Sequence, residues 1–115
     1  MKELEIFEYN GAGYDPTMNY GEWRVAIANF GEHFDEAQYK YLEAHRETDE
    51  VFVLISGKAS LVIGKEFSKI PLEMGRIYNV KRGAYHALLM ERNAKVFIVE
   101  NHSTGRENTD YYYFR

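Results

Sequence analysis

Between Val51 and Glu100 short strand-like runs alternate with turns built on glycine or polar residues, without any internal sequence repeat. Val51-Phe-Val-Leu-Ile55 ends at Ser56-Gly57, Ala59-Ser-Leu-Val-Ile63 at Gly64-Lys65-Glu66, and Phe67 to Leu72 at Met74-Gly75. Arg76 to Val80 stops at Lys81-Arg82-Gly83, Ala84 to Met90 at Glu91 to Ala94, and Lys95 to Glu100 follows. Runs of about five to seven residues with turns about every ten are strand-sized. No helical pattern long enough for a parallel crossover intervenes, so the spacing predicts an all-β sandwich or barrel. Pro71, near the end of its run, is compatible with an edge strand.

The first half is less regular. Leu4, Ile6 and Glu8 alternate with Glu5 and Phe7, which predicts a short edge strand, and Asn10-Gly-Ala-Gly13 with Asp15-Pro16 is expected to break regular structure. Trp23 to Phe30 alternates clearly: Trp23, Val25 and Ile27 face one way, Arg24, Ala26 and Ala28 the other, with Trp23 expected in the core. From Gly31 to Leu42 two patterns compete. Asp35 is placed to cap a short helix, whereas Tyr39, Tyr41, Glu43 and His45 fall at period two. The β-rich remainder favours a loop and then a strand from about Tyr39. At the other end, residues 101–115 are polar until Tyr111-Tyr-Tyr-Phe114. Four aromatics either pack back onto the sheet or join a subunit contact.

A chain of 115 residues fits one domain with one core, here spanning 1–115. The net charge of −4, without a basic block, argues against nucleic acid as a partner. The absence of Cys removes disulfides and thiol chemistry. Met1-Lys-Glu-Leu-Glu lacks the apolar core of a secretory leader and no run is long enough to span a bilayer. A cytoplasmic location with no membrane partner is the expectation.

Candidate chemistry gathers where polar residues precede a buried strand. Glu43 and His45 are two apart and share a strand face. Glu50 is five further on and would point away on a continuous strand. A turn over Arg46 to Asp49 would set Glu50 on a neighbouring antiparallel strand, in phase with Phe52 and Leu54, where it can converge with Glu43 and His45. His86 is in phase with Ala84, Leu88 and Met90; with that face inward it joins the cluster. Two neutral imidazoles and a carboxylate are ligands for a divalent first-row metal and leave positions open. The same residues also have plain roles, as hydrogen-bonded structural histidines and solvated strand ends. Tyr41 shares the face of Glu43 and His45. Tyr41, Phe52 and Met90 are the residues expected to line a pocket, and Tyr85, beside His86, is expected on the outer face.

These motifs resemble those of the cupin superfamily. Its first motif is a His pair two apart, a Glu four or five residues later, six residues and a Gly. His45, Glu50 and Gly57 take the second His, the Glu and the Gly. Its second motif is Gly, five residues, Pro-x-Gly, two residues, His, three residues and Asn. Gly75, Gly83 and His86 match it. Together the motifs cover about residues 43–90. The chain departs from them at Glu43, in place of the first His, at Lys81, in place of the proline, and at Met90, in place of the final Asn. The resemblance implies a single-domain cupin-type β-barrel, a jelly-roll-like double-stranded β-helix. It implies a divalent transition metal held by His45, Glu50 and His86, with Glu43 as a substitute oxygen ligand. Such a mixed nitrogen-oxygen set suits iron, manganese, nickel or zinc. Lost metal binding is the other reading of Glu43.

Val51–Ile55, Leu61–Ile63 and Val96–Val99 are apolar on both faces, so a surface beyond the barrel interior needs cover. Small cupins dimerise through such a surface, and a homodimer is expected. The functional expectation is a metal-binding cupin that binds or acts on a small polar metabolite, as an oxygenase or isomerase if it is an enzyme. The alternatives are a non-catalytic binder of a small, sugar-like ligand, and a metal-free isomerase or epimerase.

Overall fold

A computed structural model describes all residues, Met1–Arg115. In chain order its strands are β1 (Gly13–Tyr20), β2 (Trp23–Asn29), β3 (Tyr41–His45), β4 (Glu50–Ser56), β5 (Ala59–Ile63), β6 (Ser68–Pro71), β7 (Tyr78–Val80), β8 (His86–Met90), β9 (Lys95–Asn101) and β10 (Thr109–Tyr113). They form two five-stranded sheets, ordered β1-β2-β9-β4-β7 and β10-β3-β8-β5-β6. Every pairing is antiparallel. No helix is long and apolar enough to cross a membrane.

The sheets face each other across one core. Ala26, Ala28, Phe52, Leu54, Val96 and Ile98 come from the first sheet, and Leu61, Leu88 and Met90 from the second. Strand parity selects them: on β9, Val96, Ile98 and Glu100 are buried while their neighbours are half-buried. Phe52 is 2% exposed, and truncating it to Ala would cost about 3–5 kcal/mol. The aromatic tail takes the first of its two alternatives. It becomes β10, paired with β3 from Thr109↔His45 to Tyr113↔Tyr41. Behind that sheet, Leu42, Val62 and Leu89 form a second cluster, packed by Tyr85, Tyr112 and Phe114. Tyr85 is on the outer face, as its parity requires.

The first half of the chain differs from expectation. The predicted edge strand at Leu4–Glu8 has no partner, and Ile6 is 86% exposed. The strand forms instead at 13–20, across Asp15-Pro16. This is a sheet edge with a shifted register between Asp15 and Met18, where the missing proline N–H costs no ladder bond. Trp23 is 46% exposed rather than core, because its side of β2 is the outer one. Between β2 and β3 lies a short 3-10 turn, Glu32–Phe34. Asp35 then accepts hydrogen bonds from the Ala37 backbone N–H and the Gln38 side chain, so it caps a turn and not a helix. The Tyr39 N–H is spent on the Asp35 carbonyl, which delays the strand to Tyr41.

Candidate metal centre

His45 is the last residue of β3 and Glu50 the first of β4. The 46–49 connection is where the turn was expected, but its role differs. It carries the chain from one sheet to the other, so β3 and β4 face across the barrel and are not paired neighbours. His86 opens β8, beside β3. Three side chains therefore meet from two sheets. His45 Nε2 lies 3.0 Å, and His86 Nε2 2.7 Å, from Glu50 Oε1. One ligand atom from each falls within 4.8 Å of the others, and all three residues are buried.

The outer ring nitrogens fix the tautomers. His86 Nδ1 is 3.0 Å from the Ala84 carbonyl oxygen, which can only accept, so Nδ1 carries a hydrogen. The Thr109 hydroxyl donates its one hydrogen to the Gly105 carbonyl at 2.7 Å. Its oxygen therefore accepts from His45 Nδ1, 3.0 Å away. With both Nδ1 atoms protonated, each neutral imidazole turns an Nε2 lone pair toward a carboxylate oxygen. Three acceptors converging in a buried space require a cation or protons between them. This donor set fits a divalent first-row metal, with second-sphere partners that orient both rings. Without one, protons take that place. Burial pushes both imidazoles down, but Glu50, by hydrogen bond and charge, more than offsets it, and both are raised. Burial pushes the Glu50 carboxyl up, and the two histidines outweigh it, holding it well below the carboxylate range.

Glu43 lines the cavity around this group but is not one of the three converging side chains. It is the cross-strand partner of His86, yet its Oε2 lies 3.7 Å from His33 Nε2 on a part-exposed side chain. Tyr41 and Phe52 line the cavity that holds the three residues, about 300 Å³ in volume. Met90 does not line it. It lies in the core at the far end of β8, four residues or about 13 Å along the strand from His86.

A second polar group in the same cavity has no counterpart in the sequence reading. In the register of β4 with β9, Phe52↔Ile98 and Val51↔Val99 place Glu50 and Glu100 on the next rung. Arg24 is paired with Glu100 on the other side. Arg24, Glu100 and Glu50 thus form one inward row across three strands. Arg24 Nη2 donates to Glu100 Oε2 at 2.7 Å, and the Tyr14 hydroxyl donates a short hydrogen bond to the same oxygen. Burial and the charge of Glu50 raise the Glu100 carboxyl. Burial and Glu100 raise the Tyr14 hydroxyl, so it stays a donor. Arg24 Nε and Thr104 Oγ1 are buried without a partner, so this end of the cavity is not fully satisfied by protein groups. The available signal was a charge in phase with Val96 and Ile98. It was masked because Val96–Val99 is apolar on both faces.

No family model matches the sequence, and no curated protein matches it. Among solved structures, the chain is similar to a cupin-2 domain protein from Shewanella frigidimarina, with 16% identity, 82% of this chain and 85% of that one covered, and a TM-score of 0.61. It is similar to Pac13, a nucleoside dehydratase of Streptomyces, at 12% identity, 92% and 83% coverage and a TM-score of 0.66. It is also similar to an RmlC-like cupin from Desulfovibrio desulfuricans, at 15% identity, 85% and 91% coverage and a TM-score of 0.58. Identities this low speak to the fold alone. Two facing antiparallel sheets, a cavity between them and these likenesses agree on one conclusion: the chain has the cupin fold.

Proposed function

We propose that the protein holds a divalent first-row metal on His45, Glu50 and His86 and binds or transforms a small polar molecule in the adjoining cavity. The observation that carries this reading is the convergence of two Nε2 lone pairs on Glu50 Oε1, with both Nδ1 hydrogens committed elsewhere. Iron, manganese, nickel and zinc all accept two imidazoles and a carboxylate. Held there, such an ion would supply Lewis acidity toward an oxygen of a small polar molecule. The chain supplies the rest. Ala84 and Thr109 hold the imidazoles in orientation. Phe52, Leu88 and Ile98 make part of the wall apolar and limit water. Tyr14 and Arg24 both donate to Glu100 Oε2, which holds this carboxyl beside Glu50 at the polar end of the cavity wall. Pac13 has been solved with uridine, which supports a barrel of this kind taking a molecule of that size.

A second reading, a metal-free isomerase or epimerase, draws support from the Tyr14–Glu100 pair. A hydroxyl and a carboxyl side by side can hold and return a proton while a histidine removes one. Elemental analysis of untagged protein grown with iron, manganese, nickel and zinc separates the two. About one metal ion per chain is expected, lost in His45→Ala and His86→Ala. Metal-free wild type with intact folding would remove the first reading, and metal retained by both variants would assign it to other ligands.

A further inference from the structure

Two side-chain atoms in the chain are buried without a hydrogen-bond partner, Arg24 Nε and Thr104 Oγ1, and both residues line the same cavity. No other buried side-chain nitrogen or oxygen is left in this condition. Native structures keep few such groups, because each has given up its bonds to water without replacement. Two of them, on neighbouring residues of one cavity, mark a place where an atom from outside the chain belongs.

The guanidinium of Arg24 shows which part is open. Nη2 donates to Glu100 Oε2 at 2.7 Å and to the Thr104 carbonyl at 3.4 Å, and Nη1 donates to the His102 carbonyl at 3.2 Å. Three acceptors on three residues fix the plane of the group. The Nε–H can only donate, and it has no acceptor. Thr104 sits beside the guanidinium, on the connection between β9 and β10 that also carries His102. Its backbone N–H donates to the Asn101 carbonyl at 3.1 Å, which holds the residue in place while its hydroxyl remains free to donate. A fixed Nε–H and a free hydroxyl together call for one acceptor oxygen.

Charge narrows the class. Glu50, Glu100 and Arg24 form one inward row on three adjacent strands. The single guanidinium of that row already faces Glu100, and Glu50 is the next carboxyl along it. A ligand carboxylate or phosphate would bring a third acid to this one cation. A neutral carbonyl brings none. The row spans two strand spacings, about 10 Å, and the cavity has a volume of about 300 Å³. One small molecule can therefore reach from the histidine group to Arg24.

We propose that Arg24 Nε and Thr104 Oγ1 form a subsite that binds the carbonyl oxygen of a neutral amide, lactam or ketone. The inference rests on the reading that this cavity receives a small polar molecule, and it names the class of that molecule. It does not rest on the metal. The subsite holds one end of the molecule and turns the other end toward His45, Glu50 and His86.

The probe is pyrrolidinone, a small neutral lactam. The readout is the Arg24 Nε–H signal in proton–nitrogen correlation spectra of the full chain, assigned through the Arg24 side chain. Titration should move this signal downfield and saturate with a dissociation constant in the millimolar range, in chelator-treated and in metal-loaded protein alike. Thr104→Val keeps the shape and removes the hydroxyl, and should weaken binding about fivefold; Thr104→Ser should restore it. Butanoate, similar in size but anionic, should bind at least about tenfold more weakly. An Arg24 Nε–H signal that pyrrolidinone leaves in place overturns the proposal, as does a titration that Thr104→Val does not change. Butanoate bound as tightly as the lactam overturns the neutral class. A chain that holds no metal but still gives the titration loses the metal reading and keeps this one.

Discussion

His86 Nε2 lies 2.7 Å from Glu50 Oε1, although the two residues stand on strands of opposite sheets. The contact bridges the two sheets beside the cavity and makes Glu50 the hub of the three-residue group, since His45 meets the same oxygen. Glu50→Gln keeps the shape and removes the charge. Metal affinity, measured by calorimetric titration, should fall by more than the roughly 10–100-fold typical of outer-sphere changes. Glu43→Gln should leave it essentially unchanged, because Glu43 is directed at His33. Equal losses in both variants would return Glu43 to the ligand set.

The two histidines set the pH response of the metal-free protein. Both are raised above the ordinary value near 6.5 by Glu50, against the opposing effect of burial. Their charged forms therefore stabilise the fold fully below about 6.5, and that contribution is lost as pH rises through the raised values. Glu100, raised by burial and by Glu50, acts with the same sign. Metal binding needs the same Nε2 atoms deprotonated, so its affinity should rise with pH. Urea midpoints for chelator-treated protein should fall between pH 6.5 and pH 9, about the range of imidazole loss, while metal-loaded protein should hold or gain. A chelated midpoint that climbs over this range would rule out imidazolium pairing.

Local periodicity revealed strand content and the His45, Glu50 and His86 positions, because inward and outward residues alternate in each case. Long-range register stayed hidden. The 46–49 segment reads as a hairpin turn, and only the sheet order makes it a crossing between sheets. Glu100 looks like the polar end of a strand until Glu50 and Arg24 are seen on either side of it. Met90 shares the parity of His86, but parity says nothing of depth along the barrel. The Leu4–Glu8 pattern is strand-like, and within one chain no edge receives it.

Tyr14 links the edge strand to the cavity through its bond to Glu100. Tyr14→Phe deletes one donor and leaves Glu100 to Arg24 alone. A hydrogen bond to a charged, buried group is worth about 1.5–3 kcal/mol, and the loss of stability should be of that size. Metal content should not change, since Tyr14 does not touch His45, Glu50 or His86. Stability by chemical denaturation and metal by elemental analysis, on one preparation, check both halves. Lost metal with unchanged stability would contradict this placement.

Gly57 has a sharper requirement than its place after a strand suggests. Its φ is +72°, and a Cβ there would lie 2.6 Å from Ala94 Cα and from the Asn93 carbonyl oxygen. Both are backbone atoms of the turn that packs on the β4–β5 connection, where the Glu91 N–H donates to the Lys58 carbonyl at 3.0 Å. Neither can swing aside as a side chain would. Gly83 has a similar φ of +81° but open space around it. Gly83→Ala should therefore cost only the left-handed backbone penalty, about 1–2 kcal/mol. Gly57→Ala adds displacement of a turn and should cost clearly more, on the order of 3 kcal/mol or above. Comparison of the two variants by denaturation isolates the steric part, because the backbone penalty is common to both. Equal losses would mean that the 91–94 turn yields freely, and the motif glycine would then be explained by its dihedral angle alone.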